Sequence, residues 1–291
     1  MGVYNAENLY LNRAKFVMKF LGVWVPPENE TVGLKLHRFL MLSLQYLFLI
    51  FQIVYIIQVW GDLEAVSQAS YLLFTQACLC FKVTVFLCNK EMCRSLLGQM
   101  ASDVFKPENK NQELINKRQA IRIKRLLLAF MVSSQATCGL WALKPLFDDN
   151  VNGSREFPFR MWMPVDTNQS PHYEIGYACQ LLAISMSAYM YFGVDSVALS
   201  MVIFGCAQME VIKDKLMTIK IVNRNYKSDT SLVQNKLLDE NYDKFIKCVE
   251  QYQAVVRFTK ELEDAFHTYL VFQLSGSVGL ICMSALRILV V

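Results

Sequence analysis

Residues capable of chemistry are few in this chain, and they are scattered. The three histidines, His37, His172 and His267, lie far apart in the sequence. Nine cysteines, at positions 78, 80, 88, 93, 138, 179, 206, 248 and 282, include no CxxC pair and no zinc spacing. No HExxH, P-loop, GxGxxG or GxSxG motif is present. Nucleophilic or metal chemistry needs several polar groups converging on one point. The pattern offers none, so no catalytic residue, metal or cofactor is expected. Lys82 and Asp195 are the notable charges inside apolar runs. An ionisable group within a membrane span is a functional candidate by default. Both nevertheless fall near the expected inner interface, where water would reach them. Arg287 is expected to snorkel to the outer surface.

What remains is the chemistry of recognition. Ser134, Thr137 and Trp141 stand at i, i+3 and i+7 and share one helical face. Tyr71, Phe74 and Thr75 in one apolar run, and Leu182, Met186 and Tyr189 in another, fall at the same expected depth in the outer half of a membrane. An aromatic-lined apolar cavity with a few hydroxyls suits a small hydrophobic ligand. Helix–helix packing is the competing role for each residue.

The elements that would position these side chains follow from composition and charge. Hydrophobic residues make up 54% of the 291 and mean hydropathy is +0.27. Five apolar stretches reach the roughly 20 residues that a helix needs to cross a hydrocarbon core. They lie near Phe39–Trp60, Val66–Asn89, Arg125–Phe147, Gly176–Gln208 and Phe266–Val291. Unpaired backbone groups are not tolerated in lipid, so these runs must be helical. The expected fold is an all-α polytopic membrane protein. The net charge of +4 comes from basic residues flanking the spans, a membrane pattern and not a nucleic-acid footprint.

Lys and Arg number five before the first span, none in 61–65, nine in 90–125, three in 144–175 and ten in 209–265. The positive-inside rule then places the N-terminus in the cytosol. Residues 1–38 hold no signal peptide by composition and are expected to stay there. The 144–175 loop falls outside and carries two glycosylation sequons, at Asn152 and Asn168, the second weakened by Pro171. No cysteine lies in a segment placed outside, so no disulfide framework is expected. Cys88 and Cys93 sit at a cytosolic membrane edge and read as free thiols, with palmitoylation the alternative.

Four regions are expected: a cytosolic segment over 1–38, spans one to four over 39–208, cytosolic anchor helices over 209–265, and span five over 266–291. Residues 9–24 read as an amphipathic helix with Phe16, Val17, Phe20, Leu21 and Trp24 on one face, either resting in the inner membrane interface or packing within the cytosolic part. Span four is too long for one crossing and should leave the membrane near Asp195. The repeat Phe245, Val249, Tyr252, Val256, Leu262, Phe266 and Leu270 reads as the packed face of a cytosolic helix leading into span five.

Several stretches resemble the insect odorant receptor family. They are Leu21 to Pro26 before span one, Phe157 to Asp166 and Ser170 to Tyr177 before span four, and Cys248 to Gln253 with Phe258, Leu262 and Glu263. Phe272 to Ser275 continues the match. Where this chain has Tyr252 the family often has histidine. The resemblance implies seven spans, a cytosolic N-terminus and a ligand pocket in the outer membrane half. It further implies a heterotetrameric, odorant-gated cation channel formed with a shared co-receptor subunit in the plasma membrane of olfactory sensory neurons. Five of the seven spans are present and the family's pore-lining seventh is not. A partial gene product is therefore expected, with a non-conducting isoform as the alternative. A gustatory receptor would share the topology, but the outer-loop Trp-x-Pro pattern favours the olfactory branch. A G-protein-coupled receptor would need the opposite orientation, and a membrane enzyme lacks a catalytic constellation.

Overall fold

A computed structural model describes residues 5–25, 30–147, 157–163, 170–219 and 231–290. The sequons at Asn152 and Asn168 and the side chain of Arg287 lie outside what is described. Among the described residues seven α-helices follow in order: α1 (Ala6–Phe20), α2 (Val32–Gln58), α3 (Leu63–Cys88), α4 (Lys90–Met100), α5 (Lys110–Phe147), α6 (His172–Met217) and α7 (Ser231–Val290). A 3₁₀ turn, Asp103–Phe105, links α4 to α5, and no strand occurs among the described residues. The fold is all-helical, and α2, α3, α5, α6 and α7 each contain a stretch long and apolar enough to cross a membrane.

Local sequence explains several helix ends. The Asp62 carboxylate accepts hydrogen bonds from the Glu64 and Ala65 backbone N–H groups at 3.0 and 3.1 Å, capping α3. After α1 the chain reverses through Gly22 at φ +71°. A Cβ there would stand 3.1 Å from the Arg38 Cα, so glycine serves both the turn and the close approach of α2. Arg38 Nε donates to the Gly22 carbonyl at 2.9 Å, and its guanidinium pairs with Glu30.

The helices contribute to two compact units that are discontinuous in sequence. One comprises Met1–Asn12, Glu91–Leu126 and Val197–Ala265; the other comprises Arg13–Lys90, Leu127–Ser196 and Phe266–Val291. The sequence reading divides the chain linearly. The structure instead passes α5, α6 and α7 from one unit to the other in mid-helix. At roughly 1.5 Å per residue the 46 residues of α6 extend about 70 Å, more than twice a ~30 Å hydrocarbon core.

The first unit is built around aromatic and amide contacts. Phe204 packs edge-on against Tyr10, Phe105 and Phe258 at ring separations of 5.4–5.5 Å. Gln251 donates to Gln208, which in turn donates to Asn116. Lys215 pairs with Glu108 at 3.0 Å. The face assignment of α7 differs in part from the sequence reading, of which Leu262 and Phe266 are buried. On α7 the packed stripe is Cys248, Gln251, Val255, Phe258 and Leu262, while Phe245, Val249, Tyr252 and Val256 are exposed. On α1 the buried residues are Tyr10, Leu11, Ala14 and Met18, while Phe16 and Phe20 point outward. Both helices carry two apolar stripes, and periodicity cannot say which one meets a neighbour in the same chain.

The second unit holds the spans. Phe81 of α3 packs on Phe272 of α7 at 4.1 Å, and Phe130 of α5 stacks on Phe192 of α6 at 6.2 Å. Tyr71 and Ser284 share a 2.7 Å hydrogen bond between α3 and α7.

Candidate ligand cavity

Two adjoining cavities lie in the second unit. The larger, about 570 Å³, is walled by α3 (Gln68, Tyr71, Leu72, Thr75), α5 (Thr137, Cys138, Trp141), α6 (Ile184) and the segment Phe157–Arg160. The smaller, about 270 Å³, shares Leu72, Thr75, Thr137, Cys138 and Ile184 with it and adds Gln76, Leu79, Phe130, Ser134, Ser187 and Tyr191, among others. Together they form a two-lobed space within the size range of small-molecule sites. Trp141 stacks nearly parallel on Phe159, with ring centroids 5.6 Å apart and an interplanar angle of 12°, so the outer segment lies against α5. The Phe159 N–H donates to Gln180 Oε1 at 3.2 Å, which fixes that segment to α6. A separate cavity of about 240 Å³ lies between α2 and α6, against Met161, Met163 and His172.

Of the nine residues singled out from sequence, Tyr71, Thr75, Thr137 and Trp141 line the larger lobe. Ser134 lines the smaller, together with Thr75 and Thr137. Phe74, Leu182, Met186 and Tyr189 are absent from the described cavity walls. Leu182 is 60% exposed and Phe74 39%. The α6 face that meets the cavity is Ile184, Ser187, Ala188 and Tyr191, two residues out of register with Leu182, Met186 and Tyr189. Two positions rotate a helical face by about 200°. Apolar residues occupy every side of span four, so hydrophobic periodicity does not single out the face, and only polar residues such as Ser187 mark it. The α5 face was legible from the i, i+3, i+7 spacing of Ser134, Thr137 and Trp141.

The structure also contains groups that sequence reasoning missed. Gln45 (α2), Gln76 (α3) and Ser187 (α6) are buried together: Gln76 Nε2 donates to Gln45 Oε1 at 2.9 Å, and Ser187 Oγ lies 2.6 Å from the same oxygen. Polar residues inside apolar runs were the available signal.

The expectation that water reaches Lys82 is corrected, whereas Asp195 keeps 24% side-chain exposure. Lys82 is fully buried, and its ammonium lies 2.7 Å from Asp195 Oδ1. It also stands 3.5 Å from the centre of the Tyr191 ring and 5.3 Å from that of Tyr269. A desolvated ammonium takes an opposite charge and aromatic faces in place of water. A separation of 113 residues hides this pairing from any local reading.

The histidines stay apart. His37 Nε2 lies 2.9 Å from the Phe20 carbonyl, and His172 is on the wall of the separate cavity. Among the described residues no group of three His, Cys, Asp or Glu side chains could hold a metal ion.

An all-helical, multi-span protein with a cavity enclosed by three of its apolar helices has the architecture of a membrane receptor. The family model for the 7tm Odorant receptor matches residues 62–291, and the chain belongs to that family. It is 23% identical to Odorant receptor Or1 of Anopheles gambiae over 93% of this chain and 68% of that receptor. It is also 23% identical to Odorant receptor 10 of Aedes albopictus, over 79% of this chain and 58% of that one. Odorant receptor 46a, isoform A, of Drosophila melanogaster is 26% identical over 58% of this chain. The insect olfactory receptor OR5 of Machilis hrabei, solved in complex with eugenol, has the same fold. Its TM-score is 0.73 at 14% identity, covering 94% of this chain and 69% of that one. The family is one of receptors and not of enzymes.

Proposed function

We propose that this chain binds a small, volatile, hydrophobic ligand in the two-lobed cavity and contributes to an odorant-gated cation channel. In this reading it assembles with the co-receptor subunit as a heterotetramer in the plasma membrane of olfactory sensory neurons. The observation that carries the proposal is the cavity of about 570 Å³ faced by Tyr71, Thr75, Thr137 and Trp141 in a chain of the odorant receptor family. The Machilis hrabei receptor with this fold was solved with eugenol, which supports carrying small-molecule binding to this chain.

In this reading the second unit spans the bilayer and the first is a cytosolic anchor, with the N-terminus inside. The distribution of Lys and Arg supports that orientation. The exposed stripe of Phe245, Val249, Tyr252 and Val256 on α7 supports assembly, since such a face is costly to leave in water.

Apolar burial is sufficient for the task. At roughly 0.8 kcal/mol per buried CH₂, a ligand of about ten carbons gains on the order of 8 kcal/mol before ordering costs, giving micromolar affinity or weaker. The test is co-expression of the full receptor with the co-receptor and recording of currents evoked by an odorant panel. Trp141→Ala, which removes a wall of the cavity, should raise the effective concentration at least about tenfold without loss of surface expression. Responses unchanged by Trp141→Ala, or no response from a receptor present at the surface, would refute the reading.

A further inference from the structure

Most polar side chains on the wall of the smaller lobe spend their protons within the chain. Thr75 and Thr137 donate to carbonyls of their own helices, those of Tyr71 and Ser133, at 2.9 and 3.0 Å. Gln76 Nε2 reaches Gln45 Oε1 at 2.9 Å and the Gln45 carbonyl at 3.2 Å. The one hydroxyl proton of Ser187 has acceptors in Gln45 Oε1 at 2.6 Å and the Ala183 carbonyl at 2.8 Å. Gln45 keeps an unpartnered Nε2, but Gln45 is not on this wall. Cys138 offers only a weakly donating thiol. Two hydroxyls remain, those of Ser134 and Tyr191, and neither has a hydrogen-bond partner among the described residues.

These two donors are not equivalent. A helical serine can turn its proton onto the carbonyl one turn back, which for Ser134 is that of Phe130. A tyrosine hydroxyl stands too far from its own backbone to do so. Side chains on a helix lean toward its N-terminus, which carries the Tyr191 hydroxyl away from Asp195 and toward the turn of Ser187, on the wall of the lobe. The ring is held there by the buried Lys82 ammonium, 3.5 Å from its centre. A cation on that face draws π density from the ring and makes its O–H a stronger donor. In an apolar cavity a donor without an acceptor is costly, and a ligand that brings an acceptor removes the cost. We infer that the Tyr191 hydroxyl donates a hydrogen bond to a carbonyl oxygen of the ligand, so that Tyr191 is a specificity-determining residue for ketones and esters. This rests on the two-lobed cavity being the ligand site.

The experiment measures binding of labelled 2-octanone and nonane, each with nine heavy atoms, to the purified full receptor in nanodiscs, with empty nanodiscs subtracted. Unaltered protein, Tyr191→Phe and Ser134→Ala are compared. Each probe is its own reference across the variants, so its partition into lipid cancels. Tyr191→Phe keeps the ring over Lys82 and removes a hydroxyl that no described group uses, so the fold is preserved. It should weaken 2-octanone about threefold to tenfold, the worth of one hydrogen bond, and change nonane by less than about twofold. Ser134→Ala should leave 2-octanone within about twofold. The carbonyl carbon resonance of bound 2-octanone, which moves downfield when the oxygen accepts a hydrogen bond, should return upfield in Tyr191→Phe. Affinity for 2-octanone untouched by Tyr191→Phe, equal weakening of both probes, or a loss confined to Ser134→Ala would overturn the inference and leave the cavity reading standing. Binding of neither probe to the unaltered protein would remove the cavity reading, and this inference with it.

Discussion

Lys82 illustrates how much one buried charge can constrain. Its ammonium has no exposure and depends on Asp195 and the Tyr191 and Tyr269 rings for the stabilisation that water would otherwise supply. Breaking a buried pair from one side typically costs about 3–5 kcal/mol. Asp195 keeps 24% side-chain exposure. Lys82→Met should therefore fall toward the lower end, and Asp195→Asn, which strands the fully buried ammonium, toward the upper. The double variant Lys82→Met/Asp195→Leu should regain most of the loss, read as the thermal midpoint of purified protein in detergent. The two cysteines at the α3–α4 junction make a second contrast. Cys88 is exposed, whereas burial pushes the Cys93 thiol up to about 12. A thiol with a raised pKa stays protonated below that value, and the thiolate is the nucleophile. Maleimide at pH 7 to 9 should label Cys88 in the folded protein and spare Cys93, with Cys93 reacting only after unfolding.

At the scale of elements, contact between helices depends on small residues at the crossings. A Cβ added at Gly276 of α7 would stand 2.5 Å from Cys78 Sγ of α3. Alanine improves intrinsic helix propensity by up to about 1 kcal/mol. Here that gain is opposed by overpacking, which costs roughly 1–3 kcal/mol. Gly276→Ala should lower the thermal midpoint, and adding Cys78→Ala, which removes the opposing sulfur, should restore it. If Gly276→Ala were stabilising, α3 and α7 would not approach as closely as described. Where α6 meets α1, a Cβ added at Gly193 would stand 2.8 Å from Met18 Cγ, so this contact too depends on a small residue.

For the whole molecule, the decisive property is orientation. With the N-terminus in the cytosol, a tag on residue 1 is protected from protease added to intact cells. Asn152 should then carry glycan in the mature protein, seen as a mobility shift abolished by Asn152→Gln, and Asn29, in the sequon Asn29-Glu30-Thr31 of the cytosolic segment, should carry none. A tag cleaved in intact cells, or glycan on Asn29, would reverse the topology and with it the assignment of the first unit to the cytosol.

Composition, hydropathy and the placement of Lys and Arg were enough to establish an all-helical chain with five membrane-length apolar helices, because the bilayer leaves a long apolar run no other way to satisfy its backbone. The cavity face of α5 was legible because Ser134, Thr137 and Trp141 recur at i, i+3 and i+7 and so share one helical face. Faces of α6 and α7 were not, since helices with two apolar stripes have no periodic signal for which stripe packs inward. Tertiary structure alone decided the pairing of Lys82 with Asp195, the meeting of Gln45, Gln76 and Ser187, and the stacking of Phe159 on Trp141. Each of these joins residues from different helices or a distant loop. Their partnership depends on helix rotation and depth, which are set by side-chain packing between helices and leave no trace in local sequence.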